Sequence, residues 1–197
     1  MSQIINTIAL VACGGQSSRM GTDKGLINYH GLPQRYHLYR MLSGFCEEVF
    51  LSVSPAQSAN IADGYRFIAD MPPYSGSGPI AALLSAADEH PCKSFLLIGT
   101  DYPFFNEKEL EAFTKTCTGL KPAAFYNPAT GFFEPLLAWY PASSIACIQQ
   151  QWRNGAYSLR AFLREQDANP YIPEDINCIR SVDDPSARDE ALQKLQD

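Results

Sequence analysis

Strand-like runs alternate with helix-like runs along the chain, and this order constrains its fold more than any other feature. The runs with strand character cover residues 4–12, 49–53, 65–68, 94–99, 121–126 and 135–140. The helical patterns cover residues 33–45, 79–88, 106–117, 142–152, 158–164 and 184–196. Because repeated strand-then-helix order favours crossovers between parallel strands, the sequence predicts a three-layer α/β fold with a mostly parallel sheet. At 197 residues, we expect one domain over residues 1–197.

The composition is ordinary for a globular chain, with 46% hydrophobic residues, 18% charged residues and a formal net charge of -6. Since no long run carries one sign of charge, we expect neither a nucleic-acid partner nor a membrane-surface partner. No apolar run reaches the length of a transmembrane helix, and the first residues lack the basic region of a signal peptide. We therefore expect a cytoplasmic protein.

The six cysteines are widely spread, and no two of them form a C-x-x-C pair of the kind that many zinc sites use. We expect most of them to be buried, reduced thiols. Cys13 alone lies inside a candidate site segment, so a catalytic thiol is the alternative there. The sequence places no acid–base partner beside it.

The first strand-like run leads into a segment that combines glycines with cations. Residues 12–24 read A-C-G-G-Q-S-S-R-M-G-T-D-K. Glycines let backbone N–H groups approach phosphate oxygens closely, and nearby cations such as Arg19 and Lys24 neutralise the charge. The segment matches neither the Walker A pattern nor G-x-G-x-x-G, and the second strand ends in Ser52 and its neighbours without an acid for a ribose. The sequence therefore predicts a polyphosphate site of another kind; the alternative is a glycine turn with two exposed cations.

A lone aspartate, Asp101, follows the apolar strand at 94–99. Residues at the carboxyl ends of parallel strands face the crevice in which α/β sheets bind ligands. A single carboxylate there suits Mg²⁺, which often takes one or two carboxylates and completes its shell with water and phosphate oxygens. The alternative is an aspartate that caps a helix or a turn.

The loop over residues 70–79 follows the third strand and leads into a helix of small residues. Its glycines and prolines, Gly78 and Pro79 among them, allow close backbone contact with a flat ligand such as a base. Asp70 either holds a ribose or a base, or caps a turn.

Three further polar residues leave two interpretations open. Glu134 precedes an apolar strand, where it is either an edge residue or points into a substrate pocket. Arg153 and Arg160 flank a link between two helices, where they either meet an anionic second substrate or are solvated.

Together these motifs resemble the molybdopterin nucleotidyltransferase family, and most closely the molybdenum cofactor guanylyltransferases. The signature of that group, L-A-G-G-x-S-x-R-M-G followed by x-D-K, aligns with residues 12–24. The family's aspartate before a Gly-Pro-[Leu/Ile] helix is matched by Asp70 and residues 78–83. Its Asp-x-Pro motif is matched by residues 101–103, and its later Pro-Leu strand is matched by residues 135–136. The resemblance runs in order from about residue 4 to the C-terminal helix.

The resemblance implies a Rossmann-like nucleotidyltransferase fold, GTP with Mg²⁺ and molybdopterin as substrates, release of pyrophosphate, and transient contact with cofactor-biosynthesis or acceptor proteins. It implies a catalytic set of Arg19, Lys24 and Asp101, with Asp101 as the metal ligand. It implies nucleotide contacts at Ala12, Cys13, Gly14, Gly15, Ser17, Lys24, Ser52, Asp70, Gly78, Pro79 and Asp101.

Departures from the family pattern keep other interpretations open. Ala12 and Cys13 stand where Leu and Ala are expected, Ser52 replaces an Asn, and residues 181–185 read S-V-D-D-P in place of N-x-N-T-P. One alternative is a related nucleotidyltransferase that uses CTP or acts on a sugar or polyol phosphate. The CTP-using branch is expected to carry an alanine where Gly14 stands. Another alternative is a nucleotide-binding protein without catalytic activity.

Overall fold

The computed structural model describes residues 3–13 and 23–196. The strands are Thr7–Ala12 (β1), Glu48–Val53 (β2), Phe67–Ala69 (β3), Ser94–Gly99 (β4), Ala123–Asn127 (β5), Phe132–Tyr140 (β6) and Asn169–Tyr171 (β7). The α-helices are Gln34–Leu42 (α1), Pro55–Ser58 (α2), Pro79–Glu89 (α3), Glu107–Thr114 (α4), Ala142–Arg153 (α5), Leu159–Glu165 (α6) and Pro185–Gln196 (α7). Short 3-10 helices cover Lys24–Leu26 and Ile176–Ile179. No helix in the described ranges is long and apolar enough to cross a membrane.

The strands form one seven-stranded sheet in the order β3-β2-β1-β4-β6-β5-β7. Strand β1 pairs in parallel with β2 and β4, and β3 continues the parallel set beyond β2. Strand β6 runs antiparallel to β4 and β5, whereas β7 is parallel to β5. The predicted α/β class with a mostly parallel sheet is confirmed, and β6 is the strand that reverses direction.

Helices cover both faces of the sheet, which gives the three predicted layers. In β1, Ile8 and Leu10 pack on the face that carries α3, α5 and α6. Ala9 and Val11 pack on the opposite face with α1 and α4. Because both faces of β1 are buried, its sequence is a nearly continuous apolar run without polar alternation.

Several boundaries differ from the sequence prediction. Strand β1 begins at Thr7 and not at residue 4, because Asn6 adopts a φ of 53° that interrupts the extended backbone. Helix α4 begins after Asn106, as predicted, and the Asn106 side chain accepts a hydrogen bond from the Glu109 N–H at 3.1 Å. The short elements α2 and β7 were not predicted, since three or four residues carry too little periodicity to be recognised.

The strand order changes direction beside β1. The chain runs from β1 outward through β2 to β3, and then returns to place β4 on the other side of β1. The last residues of β1 and β4, Ala12 and Gly99, are register partners. Ligands of open α/β sheets bind in the crevice that forms at such a reversal. We therefore expect the ligand site at the carboxyl ends of β1 and β4.

Candidate active site

The carboxyl edge of the parallel strands carries predicted site residues in spatial order. Asp70 follows β3, Ser52 lies near the end of β2, Ala12 ends β1, and Asp101 follows β4. Ala12 is the register partner of Ser52 on one side and of Gly99 on the other. The topology thus brings together residues that are far apart along the chain.

Part of the glycine-rich segment lies outside the residues that the structure describes. Its flanks are described on both sides, with Cys13 before it and Asp23 after it, so its two attachment points on the sheet edge are known. The predicted site residues that lie outside the described ranges are Gly14, Gly15, Ser17 and Arg19.

Asp101 lies partly buried immediately after β4. Burial raises the pKa of its carboxyl to about 6, the Lys24 charge opposes this shift, and the charges of Asp183 and Glu134 add to it. The ionised carboxylate is therefore poorly solvated, and it feels the charges of one cation, Lys24, and of two carboxylates, Asp183 and Glu134. A bound cation would offset this loss of solvation.

Gly99 makes room for the Asp101 side chain. A Cβ atom added to Gly99 would overlap Asp101 Oδ1 and would lie 3.0 Å from Leu136 Cβ. Both contacts would be tighter than ordinary van der Waals contacts, so a glycine is required for the carboxylate to fold back against the end of β4.

We expect Gly99→Ala to lower activity and to destabilise the fold by about 1–3 kcal/mol, because the added methyl overpacks the end of β4. The double variant Gly99→Ala/Leu136→Ala removes Leu136 Cδ1, which would lie 3.1 Å from the added methyl, but it keeps the Cβ atom of residue 136 and the overlap with Asp101. Turnover and urea unfolding should be measured for both variants and for Leu136→Ala alone. The expected result is that activity stays low in the double variant. Full activity in Gly99→Ala would contradict this role.

Lys24 opens the first 3-10 helix, and its side chain is mostly buried. Its Nζ lies 2.6 Å from Asp183 Oδ1. Asp183 is brought there by the segment before α7, in which the Val182 N–H donates to the Asp101 carbonyl at 2.8 Å. The ammonium group is thus held near Asp101, at the point where the glycine-rich segment rejoins the described chain.

The two flanks of the glycine-rich segment are tied to each other by Gln57 on α2. Its Nε2 donates to the Cys13 carbonyl at 3.2 Å and to Asp23 Oδ2 at 2.8 Å. Asp23 also caps the 3-10 helix by accepting from the Gly25 N–H at 2.9 Å. Asp23 Oδ2 lies 3.9 Å from Nη1 of the buried Arg35. The attachment points of the segment are therefore fixed by polar contacts that are largely shielded from solvent.

The Cys13 thiol is not suited to nucleophilic catalysis. The side chain is buried and its Sγ donates to the Val11 carbonyl at 3.4 Å. Burial raises the pKa of the thiol far above its usual range, so it stays protonated at neutral pH. The alternative of a catalytic thiol is therefore not supported. All six cysteines of the chain are free thiols, as expected.

Asp70, Gly78 and Pro79 lie on the β3 side of the edge. The Asp70 N–H donates to the Val53 carbonyl at 2.9 Å, which extends the pairing of β2 and β3. Burial raises the pKa of the Asp70 carboxyl. Gly78 has a φ of 73° and forms the N-terminal cap of α3, with Pro79 as its first helical residue. The conformation of Gly78 favours glycine, and it brings the backbone round to the start of the helix.

Glu134 lies at the same edge of the sheet. Because β6 runs antiparallel to β4, the beginning of β6 lies beside the end of β4. The Tyr102 hydroxyl donates to Glu134 Oε2 at 3.1 Å, and Arg160 Nη2 lies 3.5 Å from the same oxygen. Arg153, by contrast, ends α5 in an exposed position.

The sequence interpretation missed Gly99, Gln57, Tyr102 and Asp183. A glycine that ends a buried strand two residues before an aspartate was a usable signal for Gly99. The contacts of the other three depend on how distant segments meet, and local sequence offers little sign of that.

A glycine-rich segment that ends at Lys24, together with Asp101 at the end of the neighbouring strand β4, is typical of nucleotidyltransferases. The fold and the site thus define the class of protein as an α/β nucleotidyltransferase. Comparisons with known proteins give the family. The chain belongs to the MobA-like NTP transferase domain family, whose model matches residues 9–169.

Relatives and solved structures agree with this placement. A molybdenum cofactor biosynthesis bifunctional protein from Synechocystis is 28% identical over 178 residues, covering 89% of this chain and 51% of that protein. The chain thus spans about half the length of that relative. A molybdenum cofactor guanylyltransferase from Pseudomonas putida is 26% identical over 162 residues, covering 79% of this chain and 82% of the relative. The crystal structure of molybdopterin-guanine dinucleotide biosynthesis protein A from Archaeoglobus fulgidus has a TM-score of 0.77 at 19% identity, covering 96% of this chain and 98% of that one, and supports the fold.

Proposed function

We propose that this enzyme transfers the GMP moiety of GTP to molybdopterin-type molybdenum cofactor and releases pyrophosphate. The observation that carries the proposal is the placement of Lys24 and Asp101 at one strand reversal, where Lys24 acts electrostatically on the Asp101 carboxyl. The choice of GTP and molybdopterin is supported by the name of the Pseudomonas putida relative, a molybdenum cofactor guanylyltransferase.

The residues present fit a bound Mg²⁺ ion. Asp101 offers a partly buried carboxylate whose charge is poorly solvated, and oxygen is the ligand that Mg²⁺ prefers. Among the described residues, no group of three or more His, Cys, Asp or Glu side chains is arranged to hold a metal alone. This suits an ion whose remaining ligands are water and the phosphate oxygens of the substrate. Bound to Asp101, Mg²⁺ would supply Lewis-acid polarisation of those phosphate oxygens.

In the proposed reaction, an oxygen of the terminal phosphate of the acceptor attacks the α-phosphorus of GTP. The bond from that phosphorus to the bridging oxygen breaks, and pyrophosphate leaves with the electron pair. Lys24 exchanges Asp183 for phosphate oxygens, and Arg19 adds a second positive charge. The protein forms no covalent intermediate, so its contribution is orientation and stabilisation of charge.

The nucleotide lies across the β1–β3 part of the edge in this proposal. Its phosphates meet the glycine-rich segment, and its nucleoside extends over Ser52 towards the start of α3. The first 3-10 helix and the Gln57 contacts hold the Lys24 end of the segment in place. The residues proposed to approach the phosphates are Ala12, Cys13, Gly14, Gly15 and Ser17, and those proposed at the nucleoside are Ser52, Asp70, Gly78 and Pro79.

Pyrophosphate release with each of the four nucleoside triphosphates, molybdopterin and Mg²⁺ tests the function. We expect GTP to give the highest kcat/KM, with a margin of at least about tenfold over CTP, since polar groups that pair with one base are left unpaired by another. Chelation of Mg²⁺ by EDTA should abolish release, and omission of molybdopterin is the background control. A preference for CTP would overturn the guanylyl assignment while leaving the enzyme class intact.

A further inference from the structure

A cavity of about 590 Å³ opens beside the active-site edge. It lies between α6, the end of β5, the start of β6 and β7. Its volume lies within the range of sites that bind small molecules. Its lining combines aromatic side chains with two arginines; those used below are Tyr126, Phe132, Phe133, Arg160 and Arg164.

The aromatic part of the lining offers a surface for a flat ring. Phe132 is 52% exposed, which leaves its ring open to a ligand. Tyr126 and Phe133 pack edge to face, with ring centroids 5.1 Å apart. The Arg160 Cζ lies 5.4 Å from the centroid of the Phe132 ring. Aromatic faces and guanidinium planes both stack well on planar heterocycles.

The charge of the lining favours an anion. Arg160 and Arg164 both border the cavity, together with one acid, Asp167. The Asp167 carboxylate lies 2.7 Å from Lys121 Nζ, so a cation already accompanies it. Glu134 accompanies Arg160 in the same way. Arg160, Arg164 and Lys121 together therefore exceed the two carboxylates by one positive charge. Guanidinium groups bind phosphate oxygens in a directed way.

Arg160 connects this cavity to the active-site edge. Its Nε donates to the Phe133 carbonyl at 3.0 Å, and its Nη2 lies 3.5 Å from Glu134 Oε2. The same carboxylate oxygen accepts from the Tyr102 hydroxyl at 3.1 Å, and Tyr102 is the neighbour of Asp101 in sequence. One short chain of contacts thus leads from the cavity to the proposed metal ligand.

We infer that this cavity binds the acceptor substrate, a planar pterin that carries a phosphomonoester. This inference rests on the proposed function. The pterin ring stacks against Phe132 and Tyr126, and Arg160 orients the phosphate of the acceptor towards the edge at Asp101. Glu134 holds the Arg160 guanidinium in that orientation. The nucleotide and the acceptor then occupy opposite sides of the β4 end, as an in-line transfer requires.

Binding of a fluorescent probe, 6-hydroxymethylpterin monophosphate, to the intact enzyme tests the site independently of catalysis. We expect Arg160→Ala to raise the Kd of the probe about tenfold, the effect of losing a hydrogen bond to a charged group. Ala161→Trp, which fills the cavity, should abolish measurable binding. Neither variant should change the Kd of GTP.

Arg66→Ala is the matched control, because Arg66 also pairs with a glutamate and lies over a phenylalanine ring. Its Nη2 is 3.1 Å from Glu48 Oε2, and its Cζ is 4.1 Å from the Phe50 ring centroid. This variant should bind the probe like the original enzyme. Unchanged probe binding in both Arg160→Ala and Ala161→Trp would overturn the inference, even if GTP-dependent turnover is intact. Loss of probe binding in these variants would support the cavity even if the enzyme prefers CTP, so the two proposals fail separately.

Discussion

Asp101→Asn is expected to lower kcat by at least about 1000-fold, because the amide lacks the charge that holds Mg²⁺ and balances the phosphates in the transition state. This corresponds to roughly 4 kcal/mol of lost transition-state stabilisation. Initial rates of pyrophosphate release at saturating GTP, molybdopterin and Mg²⁺ measure it. The control is Asp63→Asn, which changes an exposed carboxylate and should keep full activity. Full activity in Asp101→Asn would exclude Asp101 as the metal ligand.

The same substitution is expected to leave the fold intact and to stabilise it at neutral pH. The pKa of Asp101 is about 6 in the folded chain, above its usual value, so the folded state binds the proton more tightly than the unfolded state. The protonated carboxyl therefore stabilises the fold at low pH. This contribution is lost as the pH rises from the usual aspartate pKa of 3.8 to the folded-state pKa of about 6. A neutral amide at this position does not titrate, so we expect Asp101→Asn to gain about 1–2 kcal/mol at pH 7 and nothing below about pH 4. Urea unfolding at the two pH values measures the difference.

Lys24→Ala is expected to lower kcat/KM for GTP by at least about 100-fold, because it removes a positive charge from the phosphates of the substrate. The KM of GTP should rise together with the fall in kcat, since phosphate contacts form in the ground state as well as in the transition state. Stability should change by no more than about 1 kcal/mol, because the partner in the ion pair, Asp183, is largely exposed.

Lys108→Ala is the matched control for that variant. Lys108 Nζ also lies 2.6 Å from a carboxylate oxygen, that of Glu174, but both side chains are exposed on α4 and the loop before the second 3-10 helix. Its loss should leave kcat and KM unchanged. If Lys24→Ala and Lys108→Ala behave alike, the Lys24 ammonium does not bind the substrate phosphates.

The alternation of apolar strands with amphipathic helices was enough to predict the α/β class and the mostly parallel sheet. The strongest cases were β1 and β4, because strands buried on both faces leave a continuous apolar run. The direction of β6 was not predictable, since an apolar run of its length is compatible with either pairing. That direction matters, because it brings Glu134 beside the end of β4.

Local sequence also indicated Lys24 and Asp101 as candidate residues. Each was recognisable from its own neighbours: Lys24 is a cation after glycines, and Asp101 is an acid after a buried strand. The contacts that orient them join distant parts of the chain. Gln57 reaches Asp23 across 34 positions, and Asp183 reaches Lys24 across 159. Such pairs arise from tertiary packing, for which a single sequence holds no periodic signal.

The path of the phosphorus atoms tests the central claim most directly. The enzyme should be incubated with molybdopterin, Mg²⁺ and GTP that carries ³²P at the α position in one reaction and at the γ position in another. We predict that the α label appears in the molybdopterin product and the γ label in pyrophosphate, and that Asp101→Asn slows both by at least about 1000-fold. Release of the γ label as inorganic phosphate, with no α label in the product, would contradict guanylyl transfer at this site.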